Sequence, residues 1–246
     1  MCIRFNIVIL TFLISLLGLS CADEYDYSYV LNDNNYLPLE KGKYIIYSSD
    51  SIIYRGGGSV KDTITSFLKI ENIDTFLNTA GERIVVRHHW YKYKDEEAWK
   101  FKKRSSAFLR DQNVLSTEDN ITLVKLPLFP RKNMKFVPTI YVNPDLEVEI
   151  SGEIFTNLHQ DWNGKILDIA TPYAYENNKI NACRVQMVAD TLLKIQKRKV
   201  VEIYGNNIGL LERDEVFLFD DQSGNAPIEV RAKKGFIHKL QIMEYN

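Results

Sequence analysis

The chain has 246 residues, with 31 lysines and arginines against 32 aspartates and glutamates and a formal net charge of −1. This balance provides no basic surface of the kind that nucleic acids favour, so it argues against a nucleic acid partner. The length suits one β domain, because all-β sandwiches and barrels of about 200–250 residues fold undivided.

Residues 1–20 have the pattern of a secretory signal peptide. Arg4 supplies the positive charge, Ile7 to Leu17 form an apolar run, and Gly18, Leu19 and Ser20 precede Cys21. A signal peptide has an apolar run of about 7–15 residues, whereas a membrane-spanning helix needs about 20. Ser20-Cys21 resembles the end of a bacterial lipobox, in which Gly18 takes the position usually held by leucine. The resemblance implies cleavage before Cys21 and acylation of that cysteine with palmitate-like chains, which together give stable membrane anchoring.

Residues 21–35 are predicted to be a flexible tether, because they are acidic and polar and contain few aliphatic side chains. The acidic pair Asp23-Glu24 also resembles the surface-export signal of lipoproteins in Bacteroidota. We therefore expect a lipoprotein of the outer membrane, and leave open whether it faces the periplasm or the cell surface.

Residues 36–246 are predicted to form a single β-rich domain. Alternating or β-branched runs predict strands at residues 44–54, 62–76, 83–93, 99–109, 113–117, 122–126, 181–195, 199–204, 208–219 and 236–245. Short turns between successive strands favour antiparallel pairing. The predicted fold class is mainly β with little helix, an antiparallel meander forming either a sandwich or a strongly curved, half-open barrel.

The strand pattern weakens in residues 127–172. Prolines interrupt the alternation there, which predicts long loops, an edge strand or a short helix near Gly164–Ile169. In the strand at 99–109, the alternation places Phe101, Ala107 and Leu109 on one face.

The sequence offers no coherent catalytic, metal or cofactor site. His88 and His89 are adjacent in a strand and point to opposite faces, so they do not chelate one metal ion together. Once the signal peptide is removed and Cys21 is acylated, Cys183 is the remaining cysteine, and its apolar strand predicts a buried, unreactive thiol. A site at His159 and Asp161 is the less favoured interpretation of a polar loop.

Aromatic side chains provide the best candidates for ligand contact. Trp90, Trp99, Tyr91 and Tyr93 lie in or beside predicted strands, where they would stack on a sugar or a peptide. The alternative is that these residues serve core packing and cross-strand pairing, as aromatic residues commonly do in sheets.

The whole chain resembles outer-membrane and surface lipoproteins of Bacteroidota. The resemblance rests on the lipobox at Cys21, on residues 37–52 and 206–211, and on the closing segment 234–246. It implies an envelope location and a β architecture, and it transfers no catalytic residue. Ser51, Thr63 and Thr191 each follow an aspartate, which matches the short O-glycosylation pattern of these bacteria.

Three functions are compatible with these observations. The first is a non-catalytic binding or accessory module that engages a glycan, a peptide or an outer-membrane protein. The second is a hydrolase with a site in residues 127–172, and the third is a periplasmic carrier of an acyl chain or another apolar ligand. A large apolar cavity would favour the carrier, a cleft with titrating carboxylates or histidine would favour the hydrolase, and an exposed aromatic patch would favour the binding module.

Overall fold

The computed structural model describes residues 35–192 and 194–246, which are mainly β-strand. The strands are β1 (Tyr44–Arg55), β2 (Val60–Leu77), β3 (Arg83–Tyr93), β4 (Lys100–Arg110), β5 (Asn113–Glu118), β6 (Ile121–Pro127), β7 (Lys135–Phe136), β8 (Val148–Ile150), β9 (Glu153–Phe155), β10 (Gly164–Tyr175), β11 (Asn178–Leu192), β12 (Gln196–Gly205), β13 (Gly209–Phe219) and β14 (Lys234–Tyr245). Helix is limited in these ranges to the 3₁₀ turn Gly56–Gly58 and the single turn α1 (Ile228–Arg231). Among the described residues, no helix is both long enough and apolar enough to cross a membrane.

Twelve strands form one antiparallel sheet in the order β6-β5-β4-β3-β2-β1-β14-β13-β12-β11-β10-β7, and β8 and β9 form a separate hairpin. The large sheet curls until its two ends meet. The Val124 amide in β6 donates a hydrogen bond of 2.9 Å to the carbonyl of Pro138, just after β7. The prediction of a mainly β, antiparallel fold is confirmed, and of the two architectures the strongly curved, barrel-like one is observed.

The predicted short helix near Gly164–Ile169 is wrong, because this segment begins strand β10. Gly164 packs so closely that an added Cβ atom would lie 2.8 Å from Phe136 and Pro138. Pro172 is tolerated because β10 pairs with β7 only at Gly164 and Lys165, which leaves the edge beyond them without a strand partner.

The expected shared face of Phe101 and Ala107 is also wrong, because a β-bulge intervenes. Trp90 pairs with Phe101 and His89 pairs with Lys103, so that the extra residue in β4 shifts the alternation. As a result Phe101 is 49% exposed whereas Ala107 is fully buried.

Part of the interior of the curled sheet is an apolar core. Tyr47, Phe217 and Leu240 are each almost completely buried there. The connection between β9 and β10 also enters this core, since the Trp162 ring stacks on Phe217 at 5.9 Å and its Nε1 donates to the Leu158 carbonyl. This connection therefore inserts Leu158 and Trp162 into the core, while most of its other residues stay at the surface.

On the outer face, the turn α1 covers a smaller apolar cluster that contains Tyr54 and Leu218. Beside it, Gly235 pairs with Leu218 near the start of β14 and has φ 138°, a conformation that residues with a Cβ atom rarely adopt. This backbone geometry allows β14 to approach β13 very closely.

Candidate functional site

The interior also contains a cluster of charged side chains from five strands. Its members are Arg87 on β3, Glu118 on β5, Lys125 on β6, Glu202 on β12 and Arg213 on β13. Glu202 is 0% exposed and Lys125 is 8% exposed. Because β6 and β12 lie far apart in the sheet order, the contact between Lys125 and Glu202 crosses the interior.

Glu202 is the centre of this cluster. Its Oε1 accepts a hydrogen bond of 2.7 Å from Lys125 Nζ and one of 2.8 Å from Arg213 Nε, and its Oε2 accepts one of 2.6 Å from the Tyr204 hydroxyl. Burial alone would raise the pKa of Glu202, but Lys125 and Arg213 outweigh that effect and lower the pKa to about 2. The carboxylate is therefore ionised throughout the physiological range.

Arg87 differs from the other cations of the cluster because no carboxylate forms a salt bridge with it among the described residues. Its Nη2 donates to the Ser116 hydroxyl at 2.5 Å and to the Ser106 carbonyl at 3.3 Å, whereas its buried Nε has no hydrogen-bond partner. The nearby Glu118 pairs with Lys103 at 3.0 Å instead. Burial lowers the pKa of Arg87, and the negative charge of the nearby Glu118 offsets part of this effect.

A cavity of about 60 Å³ lies over this cluster. Its polar lining consists of Tyr47, Arg87, Ser116, Glu118, Lys125, Tyr204 and Arg213, with Lys43, Tyr44 and Asn72. Its aliphatic lining consists of Leu37, Pro38, Ile45, Ile70, Ile208 and Leu210. The cavity therefore combines cationic and apolar side chains.

The size and chemistry of this cavity bear on the three functions inferred from sequence. One water molecule needs about 10–15 Å³, so the cavity holds about four waters, which is too little for an acyl chain.

The carboxylates of the cluster bear on the hydrolase function. The pKa of Glu118, like that of Glu202, is lowered: burial would raise the pKa, but Lys103 and other cations outweigh the effect of burial. General acids need a pKa near the working pH, so these two carboxylates are unsuited to that role.

His89 lies on the inner face of β3 and makes the domain sensitive to mild acid. It is 2% exposed, its Nε2 lies 2.7 Å from the Ser105 hydroxyl, and burial lowers its pKa to about 4. In the unfolded chain, the imidazole of His89 binds a proton near pH 6.5, whereas in the folded chain it stays neutral down to about pH 4. As the pH falls from 6.5 to 4, protonation of the unfolded chain therefore lowers the free energy of unfolding by about 3 kcal/mol.

We expect His89→Gln, which keeps a side-chain N–H for Ser105, to flatten the pH dependence of the unfolding free energy between pH 6.5 and 4. Urea denaturation at several pH values measures this dependence. His88→Gln is the matched control, since His88 lies on the outer face of the same strand and is more exposed. If His89→Gln leaves the pH dependence of the unfolding free energy unchanged, His89 is not the group that makes the domain sensitive to acid.

The structure separates the four aromatic residues proposed for ligand contact. Trp90 packs edge-on against Phe101 at 5.4 Å, and Trp99 lies near Lys92, whose Nζ is 5.2 Å from its ring. Tyr91 and Tyr93 contact each other at 5.7 Å and lie on the opposite face of β3 from Trp90. The four side chains therefore do not form one platform.

The remaining candidate residues are dispersed. Cys21 lies outside the described residues, Ser51 is in β1, Thr63 is exposed in β2, and Thr191 is in β11. Cys183 is fully buried, and burial raises the pKa of its thiol to about 12. His159 packs against Trp162 with ring centres 5.2 Å apart, and the part of the chain that the structure describes contains no cluster of three or more metal-ligating side chains.

The buried charged cluster was not predicted from the sequence. A signal was present in β12, where Glu202 occupies the inward series between Val200 and Tyr204. A carboxylate in an otherwise apolar series is expected to have buried cationic partners. The sequence does not reveal which distant strands supply them.

No protein-family model matches the chain, and neither does any curated protein. Among solved structures, it is similar to a candidate lipoprotein from Parabacteroides distasonis, with 7% identity and a TM-score of 0.39 over 87% of this chain and 99% of that one. It is also similar to a candidate exported protein with a YmcC-like fold from Bacteroides fragilis, with 12% identity and a TM-score of 0.38 over 85% and 98% of the two chains.

Proposed function

We propose that this protein is an outer-membrane lipoprotein, anchored through Cys21, whose barrel-like sheet binds a ligand without transforming it. The observation that supports binding over catalysis is the ionisation of Glu202. Two buried cations hold its pKa at about 2, so it does not exchange protons near neutral pH. The cavity has a fixed charge pattern, which suits recognition.

The first described residues help to form the cavity. The Asn35 carbonyl accepts a hydrogen bond of 2.7 Å from the Asn207 amide, and Tyr36 is buried. Leu37 and Pro38 then line the cavity. This segment therefore contributes both to the core and to the binding site that we propose.

An aromatic cluster on the outer face provides a second contact surface. Phe101 is half exposed, and its ring lies 5.4 Å from Trp90 and 5.1 Å from His88. Exposed aromatic rings of this kind stack on sugar rings. We propose that this face, without Tyr91 and Tyr93, contacts an envelope glycan.

The anchoring proposal is tested by replacing Cys21 with alanine. We expect the wild-type protein to fractionate with membranes and to incorporate an alkyne-labelled fatty acid, and Cys21→Ala to lose both properties. Cys183→Ala is the matched control, because that thiol is buried in β11 and should leave anchoring unchanged. If Cys21→Ala stays in the membrane fraction without label, the lipid anchor is wrong.

A further inference from the structure

We propose that the cavity is an oxyanion site, which takes a phosphate, sulfate or carboxylate group carried on an apolar stem and binds it through Arg87. This inference deepens the proposed binding function and rests on it. It specifies the class of ligand that the binding module recognises.

The lining of the cavity carries more positive than negative charge. Four cationic side chains line it, Lys43, Arg87, Lys125 and Arg213, and Glu118 is the single lining carboxylate. Glu202 is shared between Lys125 and Arg213, while Glu118 forms its salt bridge with Lys103. Arg87 therefore has no salt bridge with a carboxylate among the described residues, and the nearby charge of Glu118 only partly offsets its own. An anion bound beside Arg87 would supply the opposite charge.

Arg87 also has hydrogen-bond donors without partners. A guanidinium group carries five N–H donors, and the bonds that Arg87 makes to described residues all come from Nη2. Among the described residues that line the cavity, its Nε is the side-chain nitrogen that is fully buried without a hydrogen-bond partner. The Tyr47 hydroxyl, by contrast, donates to the Leu210 carbonyl at 2.9 Å, and the Tyr204 hydroxyl donates to Glu202. Guanidinium donors match the paired oxygens of carboxylates and phosphates.

The size and polarity of the cavity suit the same group. A volume of about 60 Å³ accommodates about four waters, which is similar to one tetrahedral oxyanion. The aliphatic side chains of the lining, such as Ile45, Ile70 and Ile208, suit contact with a hydrocarbon stem attached to that group. Both a lipid headgroup and a soluble organic or inorganic anion present this chemistry.

The test is titration of the full lipoprotein, in a nonionic detergent at fixed ionic strength, with sodium phosphate, sodium sulfate and monododecyl phosphate. Calorimetry and thermal unfolding provide the readouts, and sodium chloride serves as the reference salt. We expect at least one oxyanion to bind and to raise the Tm above the chloride reference. Monododecyl phosphate binding at least tenfold more tightly than phosphate would identify a lipid-like source, and equal affinities would identify a soluble one.

Variants of Arg87 connect this binding to the cavity. We expect Arg87→Met to weaken oxyanion binding at least tenfold, and Arg87→Lys, which keeps the charge but loses the planar donors, to weaken it less. Arg184→Met is the matched control, since Arg184 is exposed on β11 and should leave affinity unchanged. Without ligand, Arg87→Met should unfold at the same Tm as wild type or higher, because it removes a partly buried charge that forms no salt bridge with any described residue.

Two results would overturn the proposal. One is the absence of any oxyanion effect beyond chloride in the wild-type protein, and the other is wild-type affinity in Arg87→Met. Should Arg87→Met fail to fold, the wild-type titration and Arg87→Lys still decide the question. If no oxyanion binds but Cys21 still incorporates the labelled fatty acid, the oxyanion proposal is wrong and the proposal of a lipid-anchored protein still stands.

Discussion

Replacing Glu202 by glutamine is expected to lower the free energy of unfolding by about 3–5 kcal/mol, the usual effect of removing one partner from a buried ionic network. Glu202 is 0% exposed and is the carboxylate that Lys125 and Arg213 share. Glutamine preserves the size of the side chain but leaves two interior cations without their shared carboxylate. Urea denaturation at pH 7, followed by far-UV circular dichroism, measures the change.

The matched control is Glu212→Gln on the same sheet. Glu212 is partly exposed and reaches Lys239 only at 4.0 Å, so its replacement should change stability by no more than about 0.5 kcal/mol. A loss below about 1 kcal/mol for Glu202→Gln would contradict a stabilising role for the ionised carboxylate.

Acid provides an independent readout of the same carboxylate. The pKa of Glu202 is about 2 in the folded chain and about 4.3 in an unfolded one, so the unfolded state binds the proton more readily. The stabilisation is fully present above about pH 4.3 and is lost as the pH falls through 2. The variant Glu202→Gln should therefore show a shallower decline in stability over this window than the wild-type protein.

Replacing Gly235 by alanine is expected to cost more than about 4 kcal/mol or to prevent folding. At φ 138° an added Cβ atom would lie 2.0 Å from the Phe217 carbonyl oxygen and 2.9 Å from Leu218 Cα. Both are backbone atoms of the paired strand β13, so the clash cannot be relieved by a rotamer change. Thermal unfolding and the yield of soluble protein provide the measurements.

Gly57 offers a control with a positive φ but without a close neighbour, so that it tests the effect of the backbone conformation in the absence of a clash. It has φ 68°, and an added Cβ atom there would have nothing within 4 Å. Alanine at Gly57 should cost only the strain of a left-handed residue, about 1–2 kcal/mol. Equal losses at the two positions would show that the close approach of β14 to β13 does not matter.

The strands with short turns were predictable because each carries its own local signal. The predicted strand at residues 83–93 has the same bounds as β3, and the glycines at 56–58 mark the turn between β1 and β2. Strand β10 was missed because its pairing with β11 is interrupted by two register shifts and contains Pro172, so the sequence shows no regular alternation there. Phe101 was misplaced because a bulge is a property of strand pairing and leaves no reliable local pattern.

The candidate site was harder to predict for a related reason. Lys125 and Arg87 resemble the solvated face of an ordinary strand until the curvature of the sheet turns that face inward. Alternation shows which residues share a face, but it does not show which face becomes the interior. The same rule places the neighbours Trp90 and Tyr91 on opposite faces of one strand, which is incompatible with a single platform of four aromatic rings.

The position of β1 in the sheet has a consequence for how the chain folds. β1 to β6 form one local meander and β10 to β14 form another, and the pairing of β1 with β14 joins the two. At this seam the Tyr44 amide bonds the Asn246 side chain, 202 positions away. Pairing over such a separation requires the closure of a very long loop, which slows folding. The two meanders can each form early, but the enclosed interior exists only after the final strand has joined the first.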